Sequence, residues 1–189
     1  MNKLTIVCDL DDTLIDTQRL KQDLFGIARS LGVQDPEKIY KETLANHTFH
    51  VPLFAHALLG NGAKADEYMR VVGELLQQPQ KYNYPGAEEF CATLAKDRTL
   101  ILLTYGHPEF QMVKLQQSGL EPYFTEVIVT QERSKEQELK RVRDRHGALL
   151  VLDNSDCVIA TAQKLALSYH QLTSVHLSAV YAEQLLRVK

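Results

Sequence analysis

Asp9, Asp11 and Asp12 place three carboxylates within four positions, directly after the apolar run of residues 4–8. Unshielded, such a cluster repels itself, and a bound divalent cation relieves the repulsion. Hard oxygen ligands of this kind suit magnesium. One acid at such a place reads as a solvated turn or, for Asp12, as a helix cap. Three acids immediately after a buried strand read as a site.

The elements that hold these acids follow from the hydrophobic pattern. Leu4-Thr5-Ile6-Val7-Cys8 is short and β-branched, and predicts a buried strand. Residues 100–103, 127–129 and 149–152 predict three more, and residues 174–177 a weaker fifth. Amphipathic segments lie between the later runs. Residues 88–96 put Phe90, Cys91 and Leu94 on one face. Residues 108–117 open on Pro108 and are stopped by Gly119. Ser134 and Gln137 have the spacing of a capping box, for a helix running to about Arg145. Residues 156–168 predict a further helix. The alternation predicts an α/β fold, a three-layer αβα Rossmann-like parallel sheet with helices on both faces. In an open sheet of this kind ligands gather beyond the carboxyl ends of the strands, where Asp9 falls.

From about Asp16 to Tyr82 the alternation breaks. Leu20, Leu24, Ile27, Ala28 and Leu31 recur at helical spacing, and Gly32 stops the run. Asp35-Pro36 starts a second helix carrying Ile39, Tyr40 and Leu44. Residues 51–59 and 65–76 also read as helices. The spacing predicts an all-helical cap at residues 16–82, inserted into a core formed by residues 1–15 and 83–189. The alternative is that these helices belong to the core itself. The strands resume only after Pro85-Gly86, which favours an insert.

Composition narrows the class. The chain has 189 residues, 44% of them hydrophobic, enough for one core plus a small insert. Net charge is -3 with signs mixed, so no basic stripe points to nucleic acid. Trp is absent and aromatics are few, which disfavours a base-stacking surface. Cys8, Cys91 and Cys157 are far apart and odd in number, as free thiols in a reducing compartment would be. No run approaches the roughly 20 apolar residues of a membrane span. The opening residues do not read as a signal peptide, so the expected location is cytoplasmic. Oligomeric state is not encoded in any pattern here.

Asp9-Leu10-Asp11-Asp12-Thr13-Leu14 resembles the first motif of the haloacid dehalogenase-like (HAD) hydrolase superfamily, Asp-x-Asp-x-Thr after a strand. Three further motifs appear in order at strand ends, so the resemblance covers most of the chain. Thr104 closes residues 100–103, as in the second motif. Lys135 follows the third strand and matches the lysine of the third. Asp153 closes residues 149–152 and matches the first acid of the fourth. The helical insert resembles the C1-type cap that members carry at this place.

The resemblance implies a magnesium-dependent phosphatase acting on a small phosphorylated metabolite. Asp9 would attack phosphorus and form an aspartyl-phosphate. Asp11 would protonate the leaving alcohol and then take a proton from water. Mg2+ would be held by Asp9, the backbone carbonyl of Asp11, and Asp153. Thr104 and Lys135 would hold the transferring oxygens. Backbone amides near Leu10 and Tyr105 would complete the cradle. Tyr105 and His107, beside Thr104, are candidate substrate contacts. Ordinary readings stand beside these: Thr104 or Asp153 as a helix cap, Lys135 as a surface lysine with Lys140 as its rival.

The fourth motif departs from the family. A second acid usually follows directly or about four residues on, where this chain has Asn154 and Cys157. Asn154 or Asp156 is the candidate replacement. His47, His50, His56 and Arg19 are the polar candidates in the insert, and Tyr82 and Tyr84 lie near its exit. A dehalogenase needs no acid for its leaving group, so Asp11 favours phosphoryl chemistry. A sugar phosphomutase shares the same acids, and a non-catalytic binding protein that kept the fold is the remaining alternative.

Overall fold

The computed structural model describes residues 4–45 and 47–186. Strands β1 (Thr5–Cys8), β2 (Thr99–Tyr105), β3 (Glu126–Thr130), β4 (Leu149–Asp153) and β5 (Ser168–Gln171) form one sheet. Their order is β3-β2-β1-β4-β5, and every pairing is parallel. Helices α1 (Thr17–Ser30), α2 (Pro36–Leu44), α3 (Val51–Leu59), α4 (Ala63–Leu76) and α5 (Ala87–Asp97) separate β1 from β2. Then α6 (Pro108–Ser118), α7 (Glu136–His146), α8 (Asp156–Lys164) and α9 (Ala179–Leu186) follow β2, β3, β4 and β5 in turn.

β1 is the middle strand. Its Cys8 lies opposite Leu102 of β2 on one side and Leu152 of β4 on the other. The pleat sends alternate residues to opposite faces. Ile6, Cys8, Leu100, Leu102, Leu150 and Leu152 pack with Phe90, Cys91 and Leu94 of α5 and with Ala182 and Leu185 of α9. Val7, Ile101, Leu103, Leu149 and Val151 pack with Leu139 and Val142 of α7 and with Val158 and Ala162 of α8. A sheet covered on both faces needs continuous apolar strands, which explains the runs in the sequence. Each buried Leu, Ile or Phe contributes about 1.5–3 kcal/mol. The sheet is therefore a rigid base for whatever projects from its strand ends.

α1 to α4 bury a cluster of their own. Leu20, Leu24 and Phe25 of α1 meet Phe54 of α3 and Tyr68 and Val72 of α4. Phe110 of α6, on the sheet side, joins this cluster. The start signals are local: Asp16 accepts from the Arg19 amide at 2.8 Å, and Asp35 from the Lys38 amide at 3.0 Å. The chain enters and leaves the four helices side by side. Asp16 N–H donates to the Tyr82 carbonyl at 2.7 Å, and Tyr84 N–H to the Leu14 carbonyl at 3.0 Å. Gly86 sits at φ 84 where a Cβ would lie 2.1 Å from the Leu177 carbonyl, so no other residue fits that turn.

Three sequence expectations are corrected. The fifth strand is Ser168–Gln171, and Ser174–His176 is a single 3-10 turn. As an edge strand paired only with β4, β5 is largely exposed and lacks the apolar run that marked the others. The helix expected to reach Ser168 ends at Lys164, because Ala166 turns left-handed at φ 53. Ser134 and Gln137 do not form a capping box: the Gln137 amide donates to Glu132 Oε2 at 3.1 Å.

Candidate active site

The carboxyl ends of β1, β2 and β4 stand side by side, and each ends in a polar side chain. Past β1, Asp9 N–H still donates to the Leu152 carbonyl at 2.9 Å. The loop then folds over a single acceptor: Leu14 and Ile15 N–H both donate to the Leu10 carbonyl, at 2.9 and 3.1 Å. Leu10 and Leu14 are buried beneath it, and Asp12 takes the left-handed bend at φ 55. Asp12 also accepts from the Thr17 amide at 3.0 Å, so it ties down the start of α1.

Lys135 joins the two strand-end acids. Its Nζ donates to Asp9 Oδ1 at 2.6 Å, to Asp153 Oδ2 at 2.8 Å and to the Leu103 carbonyl at 2.9 Å. That uses all three ammonium protons. Lys135 is 4% exposed, Asp9 6% and Asp153 2%, so this is a buried ionic cluster. Its backbone is left-handed at φ 57, a conformation costly for a residue with a side chain. Lys140, the rival lysine, pairs on the surface with Glu136 at 2.7 Å.

The charges do not balance. Burial pushes the Asp9 carboxyl up to about 7; Lys135 opposes the shift, while Asp153 and Asp11 add to it by repulsion. Burial works against the charged form of Lys135, but Asp9 and Asp153 outweigh it and hold the ammonium above its usual value. Two acids thus share one base, beside a third acid at Asp11. Crowded hard oxygens with uncompensated negative charge fit a divalent cation.

Asp11 has partners that spacing along the sequence did not reveal. Its Oδ1 accepts from Lys114 Nζ and Thr17 Oγ1, and its Oδ2 from Gln111 Nε2 at 2.8 Å. Burial alone would raise this carboxyl, but the Lys114 ammonium and these hydrogen bonds hold it below the usual range. Gln111 is fixed by Gly106, whose φ of 151 and lack of a side chain let the amide pack over it. A Cβ there would meet Gln111 Nε2 at 2.6 Å. Gln111 and Lys114 lie three apart on α6, one turn on, and both are buried. Two polar side chains bracketed by Phe110 and Leu115 on one helix were the available signal.

Thr104 Oγ1 is buried with no hydrogen-bond partner. A buried hydroxyl left this way is a vacant donor at the end of β2. Thr13 shares its hydroxyl between Asp9 Oδ2 at 3.1 Å and Asn154 Oδ1 at 3.3 Å. Asn154 therefore borders the cluster. Asp156 is turned away toward β5, accepting from Gln171 Nε2 at 2.8 Å.

A cavity of about 330 Å3 opens over Asp11, between α6 on one side and α1, α2 and the loop after α2 on the other, and Tyr105 and His107 line it. The Tyr105 ring lies under the Arg133 guanidinium at 5.3 Å. The His107 ring stacks on His50 at 4.0 Å. His47 also lines the cavity. His56 instead pairs with Asn61 at 3.0 Å, Arg19 reaches the Lys81 carbonyl at 3.5 Å, and Tyr82 donates to Asp23 at 2.7 Å. Tyr40 faces the cavity as a phenol: burial, with Asp11 and Asp12 adding to it, pushes its hydroxyl up to about 12. Among the described residues, no helix is long and apolar enough to cross a membrane.

A family model described as a haloacid dehalogenase-like hydrolase matches residues 4–165. No curated protein matches the chain. Among solved structures, the chain is similar to a protein of Burkholderia xenovorans described as a haloacid dehalogenase-like hydrolase. The two are 21% identical over 97% of this chain and 86% of that one, with a TM-score of 0.72. It is also similar to a Bacillus subtilis protein described as a HAD-hydrolase bound to magnesium, at 19% identity, 89% and 86% coverage and a TM-score of 0.57. An L-2-haloacid dehalogenase of Xanthobacter autotrophicus with chloropropionic acid covalently bound matches at 17% identity, 89% and 76% coverage and a TM-score of 0.58. At these identities the likeness is one of fold.

Proposed function

The chain belongs to the haloacid dehalogenase-like hydrolases, and we propose that within them it is a magnesium-dependent phosphatase acting on a small phosphorylated metabolite. The observation that carries this reading is Asp11, a second carboxylate two residues after Asp9 and bordering the cavity. A dehalogenase expels a halide, which needs no proton. A phosphatase expels an alkoxide, which does.

The residues divide the work as follows. An Asp9 oxygen attacks phosphorus, an O–P bond forms, and the ester P–O bond breaks. Asp11, ionised in the free protein, relays to the departing oxygen a proton drawn from Lys114, and the proton later taken from water returns to Lys114. Lys114, hydrogen-bonded to the same carboxylate, is a proton source at contact distance. In the second half, water attacks phosphorus, Asp11 takes its proton, and the Asp9–phosphorus bond breaks. Thr104 donates its vacant hydroxyl to a transferring oxygen, and Lys135 holds Asp9 in line. Asp9, the Asp11 carbonyl and Asp153 would hold magnesium, with Asn154 beside them, and the ion would offset the charge between nucleophile and ester. The Bacillus relative bound to magnesium supports that choice of ion.

The test is phosphate release from p-nitrophenyl phosphate, with magnesium and with chelator. Release should need the metal and vanish in Asp9→Ala. Release that survives either treatment, or chloride release from a 2-haloacid in place of phosphate, would overturn the reading. A sugar phosphomutase would return the phosphoryl group to a bound sugar phosphate, which product analysis detects.

A further inference from the structure

We propose that His50, His107 and Glu109 form a second metal site, for a divalent transition metal such as zinc, which ties the inserted helices to the core. The site is separate from the acids at the strand ends and does not depend on the reaction they carry out.

His50 immediately precedes α3 in the insert, His107 immediately precedes α6 on the core side, and Glu109 lies in the first turn of α6. Each offers one ligand atom, and the three atoms lie within 4.8 Å of one another. His50 Nε2 stands 3.4 Å from Glu109 Oε2. In a tetrahedral zinc site with bonds of about 2.0–2.1 Å, ligand atoms are about 3.3–3.4 Å apart. One pair therefore already has the spacing of a bound state, and side-chain adjustment brings in the third atom. The groove that holds His50 and His107 is also lined by His47, so His47 or water is available as a fourth ligand.

An ordinary ion pair would account for His50 and Glu109, but it leaves the second imidazole unexplained. The His107 ring lies over His50, with centroids 4.0 Å apart and planes tilted by 29°, and its Nδ1 is buried without a hydrogen-bond partner. A buried polar atom left this way costs stability until something engages the ring. Two protonated imidazoles so close would repel, whereas a metal takes both in the neutral form. The donor set also names the class of ion. Two imidazoles and one carboxylate suit zinc, nickel or copper, while the oxygens of Asp9, Asp11 and Asp153 suit magnesium. The Glu109 side chain is 81% exposed, which leaves the site open to an ion from solution. His107 lines both this groove and the cavity over Asp11, so an ion held here fastens the insert to α6 at the cavity's edge.

The test is calorimetric titration of the full chain with zinc chloride, with magnesium in excess to hold the strand-end acids. Zinc should bind and should raise the melting temperature, as any ion that prefers the folded chain does. Losing an outer partner of a metal ligand costs about 10- to 100-fold in affinity, so losing a ligand should cost at least about tenfold. Glu109→Gln and His50→Gln should each show that loss, and zinc should no longer raise their melting temperatures. Asp9→Asn and Cys157→Ser should bind zinc as the native chain does. No zinc binding, or binding that Glu109→Gln and His50→Gln leave unchanged, would refute the site. Binding lost instead in Asp9→Asn or Cys157→Ser would put the zinc on the strand-end acids or the exposed thiol and refute it equally.

Discussion

The Lys135 ammonium meets Asp9 at 2.6 Å although 126 residues separate them in the chain. The contact exists because β1 and β3 are held in one sheet by β2, and because the left-handed backbone at Lys135 turns its side chain inward. Asp153 completes the group from β4. The chain at the ends of β1 and β4 and the loop after β3 thus meet in one buried ionic cluster.

Removing the shared cation strands two buried carboxylates. Lys135→Met should lower unfolding free energy by about 3–5 kcal/mol without metal, the cost of breaking one side of a buried pair. Magnesium should recover part of that loss. Lys140→Ala, which breaks an exposed pair, should change stability by less than about 1 kcal/mol. Urea unfolding of the three proteins, with and without magnesium, decides this.

The charge imbalance at Asp9 has its own signature. With its carboxyl raised to about 7, the folded protein holds this proton more tightly than the unfolded chain. Stability from that source is present at low pH and is lost as pH climbs from the ordinary carboxylate range through about 7. Asp9→Asn removes the titration. Without metal, it should melt at higher temperature than the native protein at about pH 8, and the gap should close toward about pH 5. Turnover should be absent at every pH.

Thr104 should separate activity from stability. Its hydroxyl has no partner in the free protein, so Thr104→Val should leave the melting temperature unchanged or slightly raised. Turnover should fall by about 100-fold, the usual effect of losing one donor to a developing charge. Calorimetry and steady-state kinetics on one preparation read both.

Asp11→Asn should depend on the leaving group. Loss of proton transfer should slow alkyl phosphates by about 100- to 10,000-fold. p-Nitrophenyl phosphate, whose leaving group is stable as an anion, should slow much less. Equal losses for both esters would remove Asp11 from proton transfer.

The fold was legible wherever apolar period and burial coincide. β1, β2 and β4 are buried on both faces, so their runs are continuous, and Asp9 just past β1, Thr104 near the end of β2 and Asp153 at the end of β4 fall at foreseeable places. β5 was not, because an exposed edge strand of Ser, Tyr, His and Gln carries no such run. Lys135 was found from motif order, yet its role as a bridge between two acids needed the register of three strands. Gln111 and Lys114 were hidden for a different reason. Polar residues on a helix ordinarily face water, and only the approach of Asp11 across the strand ends makes their burial intelligible.

The central position of β1 governs how the protein comes apart. An outer strand frees itself by giving up one ladder of hydrogen bonds, as β5 does on leaving β4, but β1 must give up two together. Amide protons along β1 should therefore exchange with solvent only through opening of the whole sheet, while those of β5 exchange through local fraying. Asp9, the proposed nucleophile, hangs from the last stretch of chain expected to let go, so heat or denaturant should abolish turnover in the same transition that melts the sheet.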